Sequence, residues 1–134
     1  MASAQVLIVE DERIVARDLQ NMLEQLGYAA VTASTGEQAI KKAATSRPDI
    51  VLMNVRLKGP MDGIQAAEEI RSRFDIPVIY LTADINEDLA VRDKITGQSG
   101  YILKPLNENE LQLCIELALY RHRRSGNRKA RAAD

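Results

Sequence analysis

The chain has 134 residues, of which 46% are hydrophobic, and this suits one globular domain with a single core. Its net charge of −1 hides an asymmetry, because positions 1–120 carry 12 basic and 18 acidic residues, whereas the tail from Arg121 carries six basic residues and one acid. One cysteine (Cys114), no signal-peptide pattern and no apolar run near the ~20 residues that span a bilayer predict a cytoplasmic protein without disulfides or a membrane segment.

Five short runs rich in apolar residues predict β-strands at 5–9, 29–33, 50–53, 78–81 and 100–103. The first, third and fourth are almost wholly apolar, which is typical of strands buried on both faces of a parallel sheet. Helical stripes follow the first four strands at 15–26, 39–44, 64–74 and 89–95. A fifth helix is predicted to begin at Asn107, where Glu110 three residues on suits a capping box. The order predicts a doubly wound α/β fold, a five-stranded parallel sheet with helices on both faces.

The predicted last helix carries two apolar stripes, one at Leu111, Cys114, Ile115 and Ala118 and the other at Leu113, Leu117 and Tyr120. A helix packed on a sheet usually needs one stripe, so the second indicates either a further partner or a wide stripe buried within the domain. Beyond it, frayed helix followed by disorder or a linker is predicted, which divides the chain into a domain at 1–121 and a basic tail at 122–134. The tail lacks aromatic residues and a binding-fold signature, which argues against nucleic acid as a partner.

Polar residues follow four of the strands: Glu10-Asp11, Asn54, Thr82 and Lys104. Because parallel strands share one carboxyl edge, we expect these side chains to lie together. Adjacent acids suit Mg²⁺, although they would also suit the start of a helix. Lys104 precedes a proline and is therefore held on extended backbone, where its ammonium could neutralise an anion, although it could equally be a surface lysine. The Thr82 hydroxyl could bond a phosphoryl oxygen, but a helix cap would also explain it.

Taken together, these segments resemble the receiver (response-regulator) domain of two-component signalling over about residues 4–120. The resemblance is carried by five motifs in order: Ile8-Val9-Glu10-Asp11-Glu12, Pro48-Asp49-Ile50-Val51-Leu52-Met53-Asn54, Met61-Asp62-Gly63, Pro77-Val78-Ile79-Tyr80-Leu81-Thr82-Ala83, and Gly100-Tyr101-Ile102-Leu103-Lys104-Pro105. It implies the flavodoxin-like fold, a histidine kinase or phosphotransfer protein as partner, and a homodimer formed through the last strand and last two helices.

The resemblance also implies roles for individual residues. Glu10 and Asp11 are similar to the acid pair that holds Mg²⁺ together with the backbone carbonyl of Arg56. Thr82 resembles the switch hydroxyl, Tyr101 the aromatic that turns inward or outward on activation, and Lys104 the lysine that pairs with the phosphoryl group.

Asn54 stands where the family has the phosphoacceptor aspartate. An amide keeps the shape of a carboxylate but is not a nucleophile, so we expect no stable phosphorylation at this position and weaker binding of Mg²⁺. Receivers catalyse their own phosphoryl transfer, but Asn54 should block this step, so the chain is not expected to act as an enzyme. Either it is a natural pseudo-receiver that works by protein–protein contact, or the asparagine was introduced as a phosphorylation-dead isostere. The intact Glu10, Asp11, Thr82 and Lys104 favour the second explanation.

The loop at 57–61 departs from the family pattern by one extra residue, since Asn54 and Asp62 are eight positions apart instead of the common seven. Two other functions of this fold class are weaker candidates. A flavin- or nucleotide-binding domain would need a phosphate-cradling loop after the first strand, where Glu10-Asp11-Glu12 has the wrong charge. A metal-dependent phosphatase would need a nucleophilic carboxylate at position 54.

Overall fold

The computed structural model describes residues 4–83, 100–104 and 106–133. Strands and helices alternate as predicted from residue 5 to residue 82, and the bounds of the five strands lie within one residue of those expected. The elements are β1 (Gln5–Val9), α1 (Arg13–Gln25), β2 (Ala29–Ala33), α2 (Gly36–Ser46), β3 (Ile50–Asn54), α3 (Gly63–Phe74), β4 (Val78–Thr82), β5 (Tyr101–Leu103) and α4 (Glu108–Ala133). The helical stripe expected at 89–95 lies outside the described residues.

The five strands form one parallel sheet in the order β2-β1-β3-β4-β5. The direction of winding reverses between β1 and β3, and this is the switch point at which open α/β sheets place their sites. Val6 pairs with Ile50 and Val9 with Met53, so the two strands end side by side. The predicted doubly wound α/β fold is therefore confirmed.

Each face of the sheet has its own hydrophobic core. Alternating strand residues that include Leu7, Val51 and Tyr80 pack with α2 and α3. The residues of opposite orientation, which include Ile8, Leu52 and Ile102, pack with α1 and α4. Burial on both faces explains why β1, β3 and β4 are nearly continuous apolar sequences instead of alternating ones.

Polar side chains define where the helices begin. Asp62 caps α3 in a reciprocal box with Gln65, just ahead of the helical stripe expected at 64–74. Asn107 accepts hydrogen bonds from the backbone N–H groups of Asn109 and Glu110 at 2.9 and 3.2 Å, so it caps α4 as expected.

The last helix is longer than the sequence predicted. Helix α4 continues to Ala133, beyond the boundary expected at residue 121, and the division of the chain into a domain and a basic tail stays a prediction. Arginine, lysine and alanine are strong helix formers, and they outweigh the cost of about 1 kcal/mol that the single glycine at position 126 imposes.

Only one of the two apolar stripes on α4 is buried. Leu111, Ile115 and Ala118 lie in the core, whereas Leu113 is 60% exposed and Leu117 and Tyr120 are also exposed. A wide stripe buried within the domain is thus wrong as an explanation for the second stripe. The hydroxyl of Tyr28 reaches across from the start of β2 and donates a 2.5 Å hydrogen bond to Glu116 on this helix.

The outer edge of the sheet at β2 is covered by side chains. The β2 groups that face β1 include the carbonyl of Ala33, which accepts from the backbone N–H of Glu10. The carbonyls of Ala30 and Thr32 face the other way, and they accept hydrogen bonds from the side chains of Gln20 and Lys42. Helices α1 and α2 therefore each supply one side-chain hydrogen-bond donor to the outer edge of β2.

Candidate functional site

The carboxyl ends of β1, β3, β4 and β5 surround a cleft of about 460 Å³. It brings together most of the polar residues that the sequence analysis selected. Its lining consists of Asp11, Glu12, Asn54, Val55, Arg56, Leu57, Lys58, Thr82, Ala83 and Lys104. Tyr101 lies apart from this lining, on β5, with 39% of its surface exposed.

Glu10 forms the floor of the site. It follows β1 directly and is only 3% exposed, and its backbone N–H extends the ladder to β2 by bonding the carbonyl of Ala33. A buried carboxylate needs partners. The Nζ atom of Lys104 lies 3.2 Å from Oε1, and the backbone N–H of Glu12 donates to Oε2 at 3.2 Å.

Asn54 is the last residue of β3 and is 8% exposed. Its amide nitrogen donates to Oε2 of Glu10 at 3.0 Å and to the backbone carbonyl of Arg56 at 2.9 Å. Its amide oxygen accepts from Nζ of Lys104 at 3.4 Å. Three of the polar groups that the sequence analysis named for this site, those of Glu10, Arg56 and Lys104, therefore converge on one amide.

Asp11 holds the loop that follows β3. Its Oδ2 accepts a 3.0 Å hydrogen bond from the backbone N–H of Lys58. Partial burial raises the pKa of the Asp11 carboxyl, but hydrogen bonding with the Glu10 carboxyl and with the backbone of Lys58 outweighs it, so the pKa lies below its ordinary value. The loop at 57–61, although one residue longer than the family pattern, is thus still hydrogen-bonded to Asp11.

The sequence analysis missed two structural contributors to this site. The backbone N–H of Lys58 was not anticipated, because its role depends on the path of the extended loop. Gly63 was quoted only as part of a motif, yet a Cβ at this position would lie 1.9 Å from the carbonyl oxygen of Asn54. The acidic-glycine pair at 62–63 was the signal, since a glycine at the first position of a helix indicates a close backbone approach.

Hard oxygen donors of the kind that Mg²⁺ prefers meet at the cleft: two carboxylates, an amide oxygen and a backbone carbonyl. Within residues 4–83, 100–104 and 106–133, no cluster of three or more His, Cys, Asp or Glu could hold a metal ion. The N–H groups of Asn54 also point at Glu10 and at the Arg56 carbonyl. In this arrangement the donor set does not fit a cation placed between those two oxygens.

A doubly wound sheet with two acids, a hydroxyl and a lysine at the carboxyl ends of its strands is typical of signalling receiver domains. The family model described as "Response regulator receiver domain" matches residues 6–116. The chain belongs to the response regulator receiver family, and its receiver fold is confirmed.

Curated relatives are transcriptional regulators. The transcriptional regulatory protein PdtaR of Mycobacterium tuberculosis (strain H37Rv) is 40% identical over 119 residues, covering 88% of this chain and 58% of the relative. The alkaline phosphatase synthesis transcriptional regulatory protein PhoP of Bacillus subtilis (strain 168) is 35% identical, covering 87% and 48%. The chain therefore spans about half the length of these relatives.

Solved receiver domains superpose closely. The signal receiver domain of a modulated diguanylate cyclase from Desulfovibrio desulfuricans G20 gives a TM-score of 0.85 at 32% identity, covering 92% of this chain and 98% of that one. The receiver domain of sensor histidine kinase PA1611 from Pseudomonas aeruginosa PAO1 gives 0.78 at 31% identity, covering 88% and 98%, and has a magnesium ion coordinated in its active site cleft. Receiver domains bind Mg²⁺ in the active site and interact with histidine kinases or phosphotransfer proteins.

Along the described part of this chain, no helix is both long and apolar enough to cross a membrane.

Proposed function

We propose that this chain is the receiver of a two-component phosphorelay whose phosphoacceptor position is blocked by Asn54. The observation that carries the proposal is the location of Asn54, which contacts Glu10 and Lys104 at the centre of the cleft. The proposed receiver unit is 1–121, and the basic segment at 122–134 acts as a tail or truncated linker. Action in the cytoplasm follows, because that is where a sensor kinase would deliver its phosphoryl group.

With aspartate at position 54, a carboxylate oxygen would attack the phosphorus of a phosphohistidine. The P–N bond would break, and its electron pair would leave on the imidazole nitrogen, which takes up a proton. Lys104 would neutralise charge on the transferred group, and the Thr82 hydroxyl would bond one of its oxygens. The side chain of Tyr101 would turn inward or outward when the domain is activated, which would change its solvent exposure. Asparagine has no attacking oxyanion, so the first step fails in this form.

A second proposed consequence of Asn54 is weaker binding of Mg²⁺ by Glu10, Asp11 and the Arg56 carbonyl. With aspartate at position 54, a bound ion would supply positive charge against the phosphoryl oxygens. Replacing a carboxylate by an amide removes one unit charge, worth about 4 kcal/mol at ~4 Å and an effective dielectric of ~20 before desolvation is counted. Even a fraction of this energy would lower the affinity measurably.

The test compares the chain as it stands with Asn54→Asp, each incubated with Mg²⁺ and acetyl phosphate and then measured by intact mass. We expect one added phosphoryl group on the Asn54→Asp variant and none on the parent chain. An Asn54→Asp/Lys104→Ala double variant is the matched control, and it should be phosphorylated far more slowly. Phosphate mapped to Asn54 in the parent, or no phosphate on the aspartate variant, would contradict the proposal.

The main proposal treats Asn54 as an introduced isostere, and one observation favours a second candidate, a natural pseudo-receiver that acts by protein–protein contact. The amide makes three hydrogen bonds within the cleft, as a native component of a site would. The two candidates differ in what Asn54→Asp does to partner binding. A pseudo-receiver predicts the same partner affinity and oligomeric state for the two forms, with or without acetyl phosphate.

A further inference from the structure

The amide group of Asn54 links a carboxylate oxygen of Glu10 to the backbone carbonyl oxygen of Arg56. Its Nδ2 atom donates one hydrogen bond to the Glu10 carboxylate at 3.0 Å and the other to the Arg56 carbonyl at 2.9 Å. An amide nitrogen has two N–H donors, so both are used. The same two oxygens are ligands that the resemblance assigns to Mg²⁺.

The orientation of this amide follows from its neighbours. Nδ2 faces two acceptors, and Oδ1 faces the ammonium of Lys104 at 3.4 Å. Turning the amide over would place its oxygen against a carboxylate and a carbonyl, and its nitrogen against a cation. Each of the three contacts would then become repulsive, so the described orientation is the one that the surrounding charges select.

We propose that the Asn54 amide takes the place of the divalent cation, so that the cleft of this chain is held together without metal. A cation draws oxygens together by its charge, and here two N–H groups draw the same oxygens together by hydrogen bonds. This inference deepens the proposed function and rests on it only in taking position 54 as the phosphoacceptor position.

The proposal differs from simple relief of repulsion between carboxylates. Repulsion is relieved by any neutral side chain at position 54, whereas bridging requires N–H donors. Glu10 is almost fully buried, and a buried acceptor that loses its donor keeps the cost of its desolvation. A neutral side chain of the same shape without N–H groups therefore separates the two explanations, and leucine has that shape.

The experiment measures thermal unfolding of the full chain, Asn54→Asp and Asn54→Leu, with EDTA and with about 10 mM Mg²⁺. We expect the parent chain to melt highest in EDTA and to gain nothing from Mg²⁺. Asn54→Asp should melt at least about 4 °C lower in EDTA and recover most of that difference with Mg²⁺. Asn54→Leu should melt lower in both conditions. The matched control is Asn21→Asp on the exposed surface of α1, which should respond to Mg²⁺ no more than the parent.

A second readout observes the amide directly. In a ¹⁵N-labelled sample, the Asn54 side-chain NH₂ signals should be resolved, protected from solvent exchange and unchanged by Mg²⁺. Three results would each overturn the inference: equal Mg²⁺-induced stabilisation of the parent and Asn54→Asp, equal stability of the parent and Asn54→Leu, or rapidly exchanging Asn54 NH₂ signals. Phosphorylation of Asn54→Asp is scored separately, so a failure of the proposed function leaves a different pattern from a failure of the bridge.

Discussion

At the scale of single residues, the tight backbone contact between Gly63 and Asn54 restricts which residues position 63 can accept. The first residue of α3 packs directly under the carbonyl oxygen of Asn54, and its backbone N–H donates to the carbonyl of Val55 at 3.0 Å. The helix and the end of β3 thus share one backbone junction. The position of the Asn54 side chain depends on that junction as much as on its own hydrogen bonds.

We predict that Gly63→Ala destabilises the chain by about 3 kcal/mol, because a methyl group would lie inside the contact distance of the Asn54 carbonyl. Gly59→Ala is a matched control. Gly59 has a φ of +102° but open space around its Cα, so its replacement costs only conformational strain, about 1 kcal/mol. Urea unfolding of both variants measures the difference, and similar losses for the two would show that the close approach is unimportant.

At the scale of elements, Tyr28 connects the beginning of the sheet to the last helix. Its ring is buried beneath α4, and its hydroxyl donates to Glu116 across 88 positions of sequence. Burial raises the pKa of Tyr28 above its ordinary value of 10.0, and the neighbouring Glu116 raises it further. The phenol therefore remains a donor through the neutral range.

We predict that Tyr28→Phe lowers the free energy of unfolding by about 1 kcal/mol, since one hydrogen bond to a carboxylate is lost while the packing remains. A raised pKa in the folded state contributes stability that is complete below the unfolded pKa and is lost as pH rises through the folded value. The loss should hence be the same at pH 6 and at pH 9. Glu116→Gln keeps an acceptor and should cost less. A loss that changes between those two pH values would contradict this account.

Sequence patterns predicted the fold well where one physical signal dominated. Strands buried on both faces carry uninterrupted apolar runs, and Asp62 and Asn107 are capping residues by chemistry, so these features could be read directly. The convergence of Glu10, Asn54 and Lys104 followed from topology alone. The bonds of the Asn54 amide and the Lys58 N–H could not be predicted, because they depend on the path of the loop at 57–61. The length of α4 could not be predicted, because the charges and the glycine of the basic segment are equally typical of a disordered tail.

At the scale of the whole molecule, one apolar surface has no cover within the described residues. It consists of Leu113, Leu117 and Tyr120 on α4, with Tyr101 and Leu103 exposed on β5. The proposed homodimer through the last strand and last helices would bury these side chains. Clusters of exposed apolar residues are characteristic of interaction sites.

We predict that the chain self-associates and that Leu113→Lys combined with Leu117→Lys returns it to a monomer, because two charges would be buried at the contact. Light scattering coupled to gel filtration measures the mass. The matched control is Ile14→Lys, which changes another highly exposed apolar residue, at the start of α1. A chain that is monomeric before any change, or a dimer that survives the double substitution, would contradict the prediction.

The side chains that cover the outer edge of β2 also limit how copies of this molecule can join. An added strand would have to bond the carbonyls of Ala30 and Thr32, and Gln20 and Lys42 already occupy them. Exposed strand edges are templates for aggregation, and charged lysines are a common way of blocking them. These side chains therefore hinder growth of the sheet on the β2 side. Copies that associate through side chains on the β5 and α4 surface would leave this covered edge untouched.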